Sequence, residues 1–100
     1  MRVAVLQTNS RHFKDENIRV ALELVERAAA AGADVAVLPE CVDYMGPKEG
    51  GLAAAEPIPG PTSEAFAAKA RELGIWLLAG SIREVSEDPG HTYNTSLLFN

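Results

Sequence analysis

Three short apolar runs alternate along the chain with two longer stretches in which apolar residues recur every three or four positions. Val3-Ala4-Val5-Leu6 and Val35-Ala36-Val37-Leu38 are continuous and rich in β-branched side chains, the pattern of strands buried on both faces of a parallel sheet. Ile75 to Ala79 repeats the pattern and runs on through Ile82, and Tyr93 to Phe99 reads as a fourth strand. Asp15 to Ala31 predicts a helix, because Ile18, Leu22, Val25 and Ala29 fall on one stripe. Asp15 and Glu16 favour the dipole at its start, and Gly32 is a natural stop. Thr62 to Leu73 predicts a second helix, capped by Thr62 or Ser63 and closed by Gly74, with Phe66, Ala67, Ala70 and Leu73 toward the core.

The segments between are polar or rich in turn residues. Gln7 to Phe13 reads as a loop. Cys41 to Pro61 holds Gly46, Pro47, Gly50, Gly51, Pro57, Pro59, Gly60 and Pro61, and a loop of that length in a compact domain is functional or hides a short helix. Leu52 to Ala55 suits one helical turn. Asp88-Pro89-Gly90 is a turn signal that joins the last two strands as a hairpin. The order β-α-β-α-β-β implies an α/β fold with right-handed crossovers. Helices on one face would leave the other apolar face of the four strands bare, which points to a missing remainder. Trp76 and Phe66 read most simply as core residues.

Composition narrows the function classes. The 100 residues make at most one domain. A net charge of −5 argues against nucleic acid or an anionic membrane surface, both of which need a basic face. The only cysteine, Cys41, cannot form an internal disulfide or a multi-cysteine metal site. A chain of this kind fits a reducing compartment, so the expected location is the cytoplasm. No run approaches the roughly 20 apolar residues of a membrane span.

Candidate chemistry concentrates at one strand end. Open α/β sheets bind ligands beyond the carboxyl ends of their strands, and Glu40 directly follows the run that Pro39 ends. An apolar surround there would tune its carboxylate for proton transfer; the alternative is a solvated or ion-paired strand-end glutamate. Cys41, if the strand continues, points away from Glu40 and reads as a small buried hydrophobe rather than a nucleophile. Tyr44, the one aromatic of the long loop, is either a wall of a substrate pocket or local packing. His12 and His91 lie in polar loops without a second ligand at metal spacing. Neither a metal nor a cofactor is expected.

Several segments in order resemble one family. Ala33-Asp34-Val35-Ala36-Val37-Leu38-Pro39-Glu40 resembles the first signature of the nitrilase superfamily of carbon–nitrogen hydrolases. Val3-Ala4-Val5-Leu6-Gln7 resembles its first strand, Pro59-Gly60-Pro61-Thr62 the start of its second helix, and Gly80-Ser81-Ile82 with Tyr93-Asn94-Thr95 its next strand pair. The resemblance runs along nearly the whole chain. It implies that residues 1–100 are the N-terminal part of an α-β-β-α sandwich. It also implies a Glu-Lys-Cys catalytic set, in which a cysteine thiolate attacks the amide or nitrile carbon, a glutamate moves protons and a lysine stabilises the oxyanion. Glu40 matches the glutamate. Lys14, Lys48 and Lys69 fall in the wrong segments for the lysine and Cys41 in the wrong motif for the nucleophile, so the 100 residues alone should be inactive. The stretch from Glu56-Pro57-Ile58-Pro59-Gly60 to Gly80-Ser81-Ile82 looks most like the amidase branches. The implied substrate is a small-molecule linear amide carrying a carboxylate, and the complete protein is expected to be a homo-oligomer.

Two other classes compete. A phosphoacceptor regulatory module needs an acidic cluster after its first strand to hold magnesium, where this chain has Gln7-Thr8-Asn9-Ser10. A non-catalytic interaction protein would dock through its open sheet.

Overall fold

The computed structural model describes all 100 residues. In chain order the elements are β1 (Val3–Val5), α1 (Lys14–Ala30), β2 (Val35–Val37), α2 (Lys48–Ala54), α3 (Pro61–Leu73), β3 (Trp76–Val85) and β4 (Thr92–Phe99). The four strands form one sheet in the order β1-β2-β3-β4. The first two pairings are parallel and β3–β4 is an antiparallel hairpin. The expected α/β arrangement is therefore present, with α2 as an added short helix.

Register decides which apolar residues are covered. Ala4, Ala36, Leu77 and Phe99 lie in one cross-strand row. Ala36 and Leu77 are fully buried in a core shared with Ala21, Val25, Phe66 and Ala70 of the helices. The next row, Val5, Val37, Leu78 and Leu98, lies on the opposite face. No helix covers that face, and Val5 and Leu98 are 81% and 61% exposed. Trp76 pairs with Val35 on the same open face and is 46% exposed. The reading of Trp76 as a core residue is thus corrected: its apolar run marks both faces, but the helices cover only one. Phe66 is buried as expected.

The helices depart from expectation in detail. The buried residues of α1 are Asn17, Ala21, Val25 and Ala28, a stripe rotated from the predicted one about Val25. Ile18, Leu22 and Ala29 flank it, half-buried. Gly60, rather than Thr62 or Ser63, is the N-cap of α3, with Pro61 pre-set at the first helical position. Ser63 Oγ accepts the Gly60 N–H at 2.8 Å, while Thr62 turns its hydroxyl to Glu56. Gly74 closes α3 in the left-handed conformation, φ 66°.

The second helix was hidden by its glycines. Lys48–Ala54 forms nearly two turns rather than one at Leu52–Ala55. A Cβ on Gly50 would stand 2.1 Å from Tyr44 Oη, and one on Gly51 would stand 3.2 Å from Arg83 Cζ. These glycines let the helix lie close on Tyr44 and Arg83, so packing overrides their low helix propensity. No helix is long and apolar enough to cross a membrane.

Candidate active site

The strand-end turn after β2 is held by β3. Leu38 continues the ladder by donating its N–H to Leu78 O at 2.8 Å. At Gly80 the two chains touch: an added Cβ would lie 2.4 Å from Leu38 O and from Pro39 C. β3 is irregular between Ala79 and Ile82, and this irregularity faces the turn. The Cys41 N–H donates to Ser81 Oγ at 2.8 Å, and the Val42 N–H donates to Ser81 O at 3.1 Å. Ser81 is buried, so the turn is fixed by a serine the core encloses.

Glu40 stands at the head of this turn. It is exposed, and its carboxylate makes no hydrogen bond or ion pair within the chain. The apolar surround anticipated for it is absent from these residues. Cys41 takes φ 51°, a left-handed conformation uncommon for a residue with a side chain. The strand alternation that was expected to separate Glu40 from Cys41 therefore does not persist. Cys41 is half-buried with a free thiol, rather than fully enclosed.

Below the turn, Asp43 anchors the loop. It is 1% exposed, and its Oδ2 accepts the Arg83 N–H at 2.9 Å. Burial pushes its carboxyl above the ordinary aspartate range, against the lowering effect of the Arg83 amide. The Asp43 carbonyl accepts Asn17 Nδ2 at 3.0 Å, and Asn17 also exchanges bonds with the Arg11 backbone at 2.7 and 3.1 Å. Asn17 thus ties the loop after β1 to the loop after β2 from its place on α1. Neither Asn17 nor Asp43 was identifiable from the sequence, where each looks like an ordinary polar residue. Ser81 was visible only as part of the Gly80-Ser81-Ile82 segment.

Tyr44 is 3% exposed and donates its hydroxyl to Pro47 O at 2.7 Å. Its ring lines a cavity with His12, Lys14, Pro47 and Gly50, and the Arg83 guanidinium sits 5.2 Å from its centroid. Glu56, at the far end of the long loop, binds Lys14 and both the N–H and hydroxyl of Thr62. Burial raises its pKa, but the Lys14 and Thr62 bonds outweigh burial and hold it below the usual glutamate range. Lys14 and Lys69 are each ion-paired, to Glu56 and to Glu26 and Glu72. No three His, Cys, Asp or Glu side chains group as a metal site.

Known proteins share this fold. Residues 2–100 match the carbon–nitrogen hydrolase family. An omega-amidase NIT2 of Danio rerio is 41% identical over 98% of this chain, and a deaminated glutathione amidase of Homo sapiens is 39% identical over 98%. The chain spans about a third of those relatives, 35% and 31% of their lengths. The C. elegans NitFhit protein superposes with TM-score 0.87 at 30% identity, covering 96% of this chain and 24% of that one. A carbon–nitrogen hydrolase superfamily protein of Xanthomonas campestris, solved with an arsenic adduct in its active site, gives 0.82 at 25% identity, covering 99% and 36%. A family match across residues 2–100, on a sheet whose strand-end turn presents Glu40, places this chain in the carbon–nitrogen hydrolase family.

Proposed function

We propose that the protein hydrolyses the carbon–nitrogen bond of a linear amide of a small carboxylate-bearing substrate, releasing ammonia, with Glu40 as general base. The observation that carries this reading is the unpaired Glu40 carboxylate on a turn clamped by Ser81. A base must be free of competing partners and carried on a positioned backbone; the Glu40 carboxylate is free, and the backbone of the next two residues is bonded to Ser81. The amidases among the relatives support the reaction class.

In the proposed cycle a cysteine thiol gives its proton to Glu40, and the thiolate attacks the amide carbon. The tetrahedral intermediate expels ammonia, which takes the proton from Glu40, and leaves a thioester. Glu40 then deprotonates water, the hydroxide attacks the thioester carbon, the C–S bond breaks to release the carboxylic acid, and the departing thiolate recovers the proton from Glu40; a lysine stabilises the oxyanion in both halves. By the resemblance, Lys14, Lys48 and Lys69 lie in the wrong segments for the lysine and Cys41 in the wrong motif for the nucleophile; Lys14 and Lys69 are in addition engaged in ion pairs. The reading therefore requires a lysine and a nucleophilic cysteine from sequence beyond these residues. Tyr44 contributes to binding through the loop it fixes, since its hydroxyl is engaged by Pro47.

The test is ammonia release by the full-length protein from monoamides of dicarboxylic acids, compared with nitriles of the same length. Turnover of the amides supports the reading, and turnover of nitriles alone, or of neither, refutes it. The single cysteine is consistent with a cytoplasmic protein. The open sheet face, with Val3, Val5, Trp76 and Leu98 exposed, favours burial by further protein and a homo-oligomeric assembly.

A further inference from the structure

Asp43 is the one charged side chain among the buried residues, at 1% exposed. None of the chain's ion pairs includes it, and its Oδ1 has no hydrogen-bond partner. Burying a carboxylate without a paired cation is unfavourable. Burial pushes its carboxyl up, against the Arg83, Asp43 and Tyr44 amides and the charge of Lys14. A costly buried group of this kind marks a functional site when its geometry gives it a task.

The task is visible in the segment around it. On one side of Glu40 the Leu38 N–H donates to Leu78 O at 2.8 Å. On the other side the Cys41 and Val42 N–H groups donate to Ser81 at 2.8 and 3.1 Å, and Asp43 Oδ2 accepts the Arg83 N–H at 2.9 Å. Residues 38 to 43 are thus strapped to β3 from both sides of the candidate base. Within the strap Cys41 is left-handed, φ 51°, and a residue with a side chain stays in that region only where its surroundings over-determine it. Asp43 closes the strap with a side chain of its own. Its carbonyl also accepts Asn17 Nδ2 from α1 at 3.0 Å, so residue 43 is fixed by two elements at once.

We infer that Asp43 is a positioning residue for the proposed hydrolysis: through its bond to the Arg83 amide it holds the strained turn that carries Glu40. This rests on the reading of Glu40 as the base. The bond rather than the charge is what the geometry uses, because an asparagine of the same shape presents the same oxygen acceptor. Without the bond the turn at Cys41 relaxes toward an ordinary backbone conformation, and Glu40 moves with it. Proton transfer suffers more than substrate binding, so the effect falls on kcat rather than KM.

The experiment uses the full-length protein and the monoamide of succinic acid. Hydrogen exchange at Cys41 and Val42, read by mass spectrometry on peptides covering residues 38–44, is set beside kcat and KM for wild type, Asp43→Ala, Asp43→Ser and Asp43→Asn. The alanine and serine variants should exchange faster at this turn and lose about 10- to 100-fold in kcat, the scale of a misplaced catalytic group, with KM little changed. Asp43→Asn should restore slow exchange and recover most of kcat. The serine variant leaves a smaller gap than alanine, and either one, once folded, decides the matter. Exchange at Cys41 and Val42 as slow as in wild type, faster exchange with kcat unchanged, or an equal loss of kcat in Asp43→Asn overturns the positioning role and leaves the hydrolase reading standing. Absence of amide turnover in the wild type, or turnover undiminished in Glu40→Gln, would instead sink the hydrolase reading and this inference with it.

Discussion

The backbone N–H of Cys41 donates to the buried hydroxyl of Ser81 at 2.8 Å, forty residues away in sequence. This bond fixes the residue after Glu40 to a neighbouring strand, so the position of the candidate base depends on β3 as much as on β2.

Replacing Ser81 with alanine removes that bond and leaves the Cys41 N–H without its acceptor. The expected loss is about 1–2 kcal/mol of stability, read from denaturant midpoints of the full-length protein. The expected loss of kcat is larger than that of stability alone, because a base displaced by a fraction of an ångström works poorly. Unchanged kcat in Ser81→Ala would show that the bond does not position Glu40.

Gly80→Ala acts on the same turn from the other side. The new methyl group would meet Leu38 O and Pro39 C at 2.4 Å, and these are backbone atoms that cannot swing aside. Overpacking of this kind costs about 1–3 kcal/mol and should shift Glu40 by moving Pro39. Thermal melting and turnover should both fall; a variant matching wild type in both would mean that the two strands separate freely here.

Much of this architecture is legible in the sequence, and the exceptions have physical causes. Continuous apolar runs identify the first three strands, and the Asp88-Pro89-Gly90 turn signal identifies the fourth as their hairpin partner. Val35 to Leu38 also places Glu40 correctly at a strand end. Helix α2 is obscured because Gly50 and Gly51 serve close packing against Tyr44 and Arg83, and local propensity carries no trace of contacts that distant. Trp76 is misplaced because an apolar residue in a strand reveals burial without revealing which face is covered. The polar clamp of Asn17, Asp43 and Ser81 is invisible for the same reason: its bonds link residues 26 to 40 positions apart.

Stability should respond to acid through Glu56. Its pKa is lower in the folded state than in the unfolded chain, so folding gains from its ionised form above the unfolded value, about 4.3. That gain is lost as pH falls below this value and through the folded one. Asp43 acts in the opposite sense: its raised folded pKa means that its ionisation costs stability as pH climbs through the acid range. Melting temperatures of full-length wild type and Glu56→Gln between pH 3 and 7 check the first of these. The variant should be less stable at neutral pH and converge on wild type in acid. Parallel curves would remove Glu56 from the linkage.

The open sheet face predicts the behaviour of residues 1–100 in isolation. Val5, Leu98, Val3 and Trp76 are 81%, 61%, 52% and 46% exposed on one side, and such a surface is an association site. Sedimentation of the isolated segment should show self-association or insolubility. A monodisperse monomer with a cooperative melt would show that the face is stable against water.

The central claim is that Glu40 is the base of a carbon–nitrogen hydrolase. Ammonia release by full-length Glu40→Gln, set against wild type on the same amide and alongside melting temperatures, tests it most directly. The account predicts a fall in kcat of about 10²- to 10⁴-fold, the range for loss of a positioned general base, in a variant that still folds, because within residues 1–100 the carboxylate makes no bond. Turnover near the wild-type rate in a folded variant would contradict it.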